Sequence, residues 1–253
     1  MKLIQRLLAA FAFLTIAPMP RAVALDRDAM GRSRAFFPAP GLALGAAYAA
    51  VVWALAPAAP ASFTALAVVC AMCVLTRCLH IDGLADLADA WGSAAPRERA
   101  LEIMRDSRIG TFGVAAVVLL LGAKAAAVYE IVSRFGASGD VRALRALALA
   151  PVAGRLAAVW LIQWFPYARA QGKGSAFLEN KPLGDLAIAA VLSAAAAWFT
   201  AGAPGLICLA ATLAAAHIFG MYWNRKFQGL TGDIYGAAIE FFETAALWAL
   251  VLR

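Results

Sequence analysis

The chain of 253 residues is 64% hydrophobic and only 15% charged, with a mean hydropathy of +0.78 and a net charge of +7. Soluble domains run nearer about 45–50% apolar and about 25% charged, so a soluble globular enzyme is excluded. The basic residues are scattered through connecting segments rather than massed in a patch. That argues against nucleic-acid binding and assigns them to membrane orientation, anionic headgroups or phosphates. The expected fold is all-α: a polytopic integral membrane bundle with about six or seven transmembrane helices of roughly 20 residues each. An N-terminal interfacial helix precedes it, and residues 1–253 form a single membrane-embedded catalytic domain.

Residues 1–20 carry Lys2 and Arg6 ahead of an apolar run closed by Pro18 and Pro20. No small-x-small cleavage site stands out, so an amphipathic helix on the membrane surface fits better than a signal peptide. Residues 21–37 are polar, with Arg21, Arg27, Arg32, Arg34, Asp26 and Asp28. A first span covers 38–55, and its Gly41 and Gly45 form a G-x-x-x-G that permits close helix contact. An uncharged turn, 56–60, leads to a second span over 61–79. Cys70 and Cys73 lie inside it as a lone C-x-x-C and read as buried thiols; with Cys78 and Cys208 they imply no disulfide framework.

The acidic stretch 77–113 follows. A third span covers 111–131 and holds Lys124, whose stem can snorkel only near a membrane edge. A fourth covers 146–165 and holds Arg155. The loop 166–184 is flexible and partly basic, and its Gly172-Lys173-Gly174 lacks the spacing of a P-loop. Spans five and six, 185–199 and 204–222, form a hairpin over the turn at 201–204; His217 in the sixth reads as a packed, hydrogen-bonded histidine. A loop over 223–233 precedes a last span, 234–252, with Glu240 and Glu243. In this layout sixteen of the 22 Lys and Arg residues fall on one side, four on the other and two within spans. The positive-inside rule places the first side, with both acidic clusters, in the cytoplasm.

The chemistry concentrates in few residues. Asp82, Asp86 and Asp89 are spaced i, i+4 and i+7, within about 60° of each other on a helix. Three carboxylates on one stripe repel each other and attract a hard cation such as Mg²⁺; a solvated helix face is the plain alternative. In the last span Asp233, Glu240 and Glu243 again share one side. Asp233 also suits a helix cap. Carboxylates inside a span need a polar cavity or a partner, so Glu240 and Glu243 either complete a metal site with the first cluster or pair with Arg155 or Lys124. Beside the first cluster, Arg105-Asp106-Ser107-Arg108-Ile109-Gly110 offers guanidinium forks, a hydroxyl and a glycine suited to phosphate oxygens. Acids for metal beside arginines for phosphate point to a phosphoanhydride substrate. One carboxylate, or His80, is placed to accept the proton of an attacking hydroxyl; His80 equally suits a hydrogen bond to an aspartate.

Three motifs carry a family resemblance. His80-Ile-Asp82-Gly83-Leu-Ala-Asp86-Leu-Ala-Asp89, then Met104-Arg-Asp-Ser-Arg-Ile-Gly-Thr-Phe-Gly113, then Gly229-Leu-Thr-Gly-Asp233-Ile-Tyr-Gly-Ala-Ala-Ile-Glu240 resemble cobalamin (5′-phosphate) synthase, the adenosylcobinamide-GDP ribazoletransferase family. Order, length and hydropathy agree along nearly the whole chain. The resemblance implies a Mg²⁺-dependent transferase of cobalamin biosynthesis in the bacterial inner membrane, with its active site facing the cytoplasm. Its substrates would be adenosylcobinamide-GDP and α-ribazole or α-ribazole 5′-phosphate, joined with release of GMP in the last assembly step of the nucleotide loop. By the same matching, Asp82, Asp86, Asp89 and Glu240 hold metal; with the residue chemistry above, Asp82, Asp86 and His80 are the catalytic candidates. Arg105, Asp106, Ser107, Arg108, Asp233 and Glu243 lie at substrate and phosphates. Membrane lipid surrounds the protein, and a homo-oligomer is compatible with it. Departures are Arg77-Cys78 ahead of the first motif and Ala90-Trp91 after Asp89. The D-G-x-x-D-x-x-D run also resembles CDP-alcohol phosphatidyltransferases, but that family's Ala-Arg after the first D-G-x-x is absent. An ion-coupled transporter would show an internal repeat, and none is convincing.

Overall fold

The computed structural model describes residues 2–18, 27–139, 142–169, 177 and 181–252. Arg21, Asp26 and Gly172-Lys173-Gly174 fall outside them. The described residues are helical with no strand: α1 (Lys2–Leu14), α2 (Arg27–Arg32), a 3-10 turn (Ser33–Phe36), α3 (Pro38–Leu55), α4 (Ala61–Leu75), α5 (Leu79–Gly92), α6 (Arg97–Ile103), α7 (Thr111–Ser138), α8 (Arg142–Trp164), α9 (Leu183–Phe227) and α10 (Gly232–Val251). The all-α membrane bundle expected from composition is the fold observed.

Five helices (α3, α7, α8, α9 and α10) are long and apolar enough to cross a membrane. At 1.5 Å per residue, the 45 residues of α9 would run about 68 Å, more than twice a hydrocarbon core of about 30 Å. It breaks at Gly202, where φ is 62° and ψ −144°. Both ends of α9 return to the same end of α8. Lys181 Nζ donates to the carbonyls of Ile162 (3.1 Å) and Phe165 (3.3 Å), while the His217 ring lies 5.4 Å from that of Phe165. The expected hairpin is therefore present. Trp160 Nε1 donates to His217 Nδ1 at 3.4 Å, the hydrogen bond expected for that histidine, but the residue is exposed rather than packed away. Among the described residues, counting the arms of α9 separately gives six crossings, and α4 with α5, taken as one bent span, gives a seventh.

The second span ends sooner than the hydropathy suggests. α4 and α5 are bent by 87° through Arg77 and Cys78, both left-handed at φ 54° and 53°. Such residues are uncommon without glycine; here Arg77 Nη2 donates to Ala12 O of α1 at 2.9 Å, and Ile16 N to Leu75 O at 2.8 Å. The bend takes α5, with its three aspartates, off the axis of α4.

α8 is the central helix, with 83% of its apolar window buried against 22% for α7. The small-residue pair meets it as expected. A Cβ on Gly41 would lie 2.9 Å from Pro151 O, and one on Gly45 2.6 Å from Ala148 O. We expect Gly45→Leu to separate α3 from α8 and to cost about 1–3 kcal/mol or more, read as a lower thermal midpoint in detergent; an unchanged midpoint would deny this contact. Lys124 is 2% exposed and neutralised inside the bundle by carboxylates of α10, so it has no need to snorkel. One expectation is corrected: Cys70 is exposed on the bundle surface rather than buried, although all four cysteines are free.

Candidate active site

The site grows from the crossing of α5 and α10. A Cβ on Gly83 would sit 2.7 Å from Asp233 O, and one on Gly236 would sit 3.3 Å from His80 Cα. Absent side chains at these two positions let the helix backbones touch. That contact carries Asp82 and Asp86 to the N-terminus of α10. Thr231 caps this helix, its hydroxyl accepting from Ile234 N at 3.3 Å. Asp233 is thus not the cap; it stands in the first turn, where the helix dipole favours anions.

A cavity of about 470 Å³ opens here, lined by Asp82, Asp86, Asp233, Arg105, Asp106, Ser107, Tyr167 and Arg169. Burial, then the charges of Asp82 and Asp233, push the Asp86 carboxyl up to about 7. Negative charge is therefore in excess on this wall. Asp106 behaves oppositely. It accepts from Arg108 N at 3.1 Å and from Nε at 2.9 Å, and the Arg108 guanidinium lowers it to about 2. Arg108 itself is 87% exposed and does not line the cavity. Of the two arginines of that motif, only Arg105 does.

Asp89 serves elsewhere. Its oxygens accept from Gly110 N at 2.6 Å and Gly113 N at 2.8 Å, tying α5 to the start of α7. Cβ atoms on those glycines would fall 2.5 and 2.4 Å from Asp89 oxygens. The glycines of R-I-G-T-F-G thus admit a carboxylate of the protein, where a phosphate was expected.

The expected clamp of Asp86 with Glu240 divides into two places. Glu240 and Glu243 are 3% and 2% exposed and line neither of the cavities described here. Lys124 Nζ lies 2.6 Å from Glu240 Oε2 and 3.0 Å from Glu243 Oε1, and Arg155 Nη1 pairs with Glu243 Oε2. Two carboxylates and two cations neutralise each other inside the bundle, which is the pairing alternative. The physical reason is cost: an unpaired carboxylate at that depth is expensive.

One residue of the cavity had no signal in the sequence beyond its charge. Arg169 follows the α8 end, and residues 166–168 bridge to 230 through Ala168 N→Leu230 O and Leu230 N→Pro166 O, both 2.8 Å. Gly229, at φ 140°, allows the approach, since a Cβ there would lie 2.6 Å from Ala168 N. Arg97 Nε fastens the same corner by donating to Phe227 O at 2.7 Å. Arg169 Nη2 is so placed 2.9 Å from Asp233 Oδ2.

A second cavity, of about 90 Å³, shares Asp82, Gly232 and Asp233 with the first and is otherwise mainly apolar. Phe13, Phe37 and Phe177 line it with His80, and their ring centroids lie 5.0–6.1 Å apart. Arg34 Nη1 holds the Phe177 carbonyl at 2.8 Å. His80 is 3% exposed, and neither of its ring nitrogens makes a hydrogen bond.

Comparison with known proteins decides what this site belongs to. The family model described as Cobalamin-5-phosphate synthase matches residues 6–251. The chain belongs to the cobalamin-5-phosphate synthase family. A relative from Roseiflexus sp. (strain RS-1), named adenosylcobinamide-GDP ribazoletransferase, is 42% identical over 96% of this chain and 88% of its own length. Relatives of the same name from Klebsiella pneumoniae (strain 342) and Ralstonia nicotianae are 38% identical over 98% of this chain and all of their own length, and 35% over 96% and 93%. No solved structure matches. As a member of the cobalamin-5-phosphate synthase family the protein is a transferase of cobalamin biosynthesis, embedded in a membrane by the helices above.

Whether the family member's site suits a divalent cation is a question for its donors. Among the described residues no group of three or more His, Cys, Asp or Glu side chains is placed to hold a metal ion. Mg²⁺ does not need one: it is usually held by one or two carboxylates, waters and substrate phosphates. Asp82, Asp86 and Asp233 on one wall, with their excess charge, suit that open arrangement.

Proposed function

We propose that the protein joins adenosylcobinamide-GDP to α-ribazole, or to α-ribazole 5′-phosphate, giving adenosylcobalamin or its 5′-phosphate and GMP, with Mg²⁺. The observation that carries this reading is the pair of adjoining cavities. The polar one has carboxylates and arginines at the N-terminus of α10, as a diphosphate with a hard cation requires. The apolar one is lined by aromatic rings and would take the flat base of the acceptor. Asp82 and Asp233 stand between them. The relatives' names supply the two substrates.

In the reaction the ribazole 3′-hydroxyl attacks the phosphorus attached to cobinamide. A new P–O bond forms, the bridging P–O bond to GMP breaks, and GMP leaves with the bond electrons. Asp82, common to both cavities, receives the hydroxyl proton. His80 holds the acceptor ribose, and Arg105 and Ser107 orient the donor's phosphates. Asp86 and Asp233 would hold Mg²⁺, which when bound neutralises charge on the diphosphate and leaving group. Most of the acceleration is then positioning and charge neutralisation. We assign the cavity to the cytoplasmic face of the bacterial inner membrane, since the order of spans in the sequence puts its motifs on the side richer in Lys and Arg and its substrates are water-soluble.

The test is turnover of purified protein in lipid with both substrates, with Mg²⁺ or with chelator. Corrinoid product and GMP should appear one for one, and only with the metal. Phe37→Ala should raise KM for α-ribazole several-fold and leave that for adenosylcobinamide-GDP nearly unchanged. Because Asp86 is raised to about 7, its carboxylate is present above that pH and lost below it. Half-saturating Mg²⁺ should therefore climb as pH falls from 8 to 6. GMP release without joining, or turnover in chelator, overturns the reading.

A further inference from the structure

The polar cavity holds a cation that the motifs do not account for. Arg169 is nine-tenths buried, its side chain only 10% exposed, and it lines the cavity with four aspartates, Asp82, Asp86, Asp106 and Asp233. Its Nη2 is in charge contact with Asp233, yet neither Nη2 nor Nε, both buried, makes an aligned hydrogen bond. A buried guanidinium whose Nε has no partner and whose Nη2 meets its carboxylate without an aligned hydrogen bond is incompletely satisfied, and that costs free energy. The backbone bridge to 230 and the Arg97 contacts hold its main chain at that place, so it has little freedom to find another partner.

We propose that Arg169 is the diphosphate anchor of this cavity, stored on Asp233 and transferred to a phosphate oxygen when a divalent cation takes that carboxylate. This deepens the reading of the cavity as a diphosphate site and rests on it. The logic is charge exchange. Without ligand, Arg169 offsets part of the charge of Asp82, Asp86 and Asp233. A cation on those carboxylates removes the need for Arg169 and repels it. The diphosphate supplies the replacement anion, and the planar fork of arginine can bind it bidentately where an ammonium group cannot. Metal and diphosphate then bind as a coupled pair, each lowering the cost of admitting the other.

The experiment is equilibrium binding of inorganic pyrophosphate to the full chain in lipid nanodiscs, with and without Mg²⁺. With Mg²⁺, Arg169→Ala should weaken binding by at least about tenfold, and Arg169→Lys should fall between it and wild type. Without metal, Asp233→Asn should bind pyrophosphate more tightly than wild type, because it releases Arg169. A merely structural strut predicts neither change. Wild-type affinity in Arg169→Ala overturns the proposal, as does metal-free binding by Asp233→Asn no tighter than wild type. Should Arg169→Ala fail to insert, Arg169→Lys decides: full affinity there is equally fatal. Pyrophosphate carries neither guanosine nor corrin. Arg169-dependent pyrophosphate binding with no turnover of adenosylcobinamide-GDP would sink the substrate assignment and leave the anchor standing.

Discussion

Asp86→Asn should lower turnover by about 10²–10³-fold while the protein still inserts and keeps its thermal midpoint. The side chain lies on the cavity wall and makes no ion pair among the described residues, so its loss breaks nothing that holds the helices together. Its carboxylate already works against burial and three neighbouring aspartates, Asp82, Asp233 and Asp89. The neutral amide relieves that repulsion, and the folded protein should if anything be slightly more stable. What it removes is a charged donor for a hard cation, which an amide oxygen replaces poorly. The discriminating measurement is turnover against Mg²⁺ concentration beside a melting curve. A variant that melts early and turns over normally per folded molecule would make Asp86 a packing residue and end its claim on the metal. Asp89→Asn should give the opposite pattern. It weakens the tie of α5 to Gly110 and Gly113, so stability should fall first.

Those contrasting fates show what sequence could and could not convey. Period and hydropathy made the spans legible, and the uncharged turn around Gly202 marked the hairpin inside what is otherwise one 45-residue helix. Spacing also placed Asp82, Asp86 and Asp89 on one helix. It could not say that Asp89 would be consumed by two amide donors more than twenty residues away, because nothing in a helical repeat encodes a partner on another element. The bend after α4 was hidden for a local reason. Arg77 and Cys78 adopt left-handed backbone without the glycine that normally announces it. Gly83 and Gly236 were visible as letters, yet their purpose, backbone contact between α5 and α10, appears only when both helices are in place. Arg169 sits in a loop with no periodicity to read, and only the bridge to Leu230 makes it part of a wall.

The buried quartet of Lys124, Arg155, Glu240 and Glu243 gives the largest effect expected on stability. Glu243→Ala leaves Arg155, 0% exposed, without its counter-charge, and breaking a buried pair in this way costs about 3–5 kcal/mol. The thermal midpoint should drop steeply, or the variant should fail to accumulate. Changing both members of one pair restores neutrality. Glu243→Leu with Arg155→Leu leaves Lys124 on Glu240 and should recover most of the loss, since an apolar replacement of a buried pair is often neutral. Glu240→Gln separates structure from chemistry at the position that spacing had offered to the metal. If its task is to neutralise Lys124, stability falls and turnover per folded molecule stays near wild type. If instead turnover collapses at an unchanged midpoint, Glu240 acts on the reacting groups, and the two acidic clusters work as one site despite the ion pairs between α7 and α10.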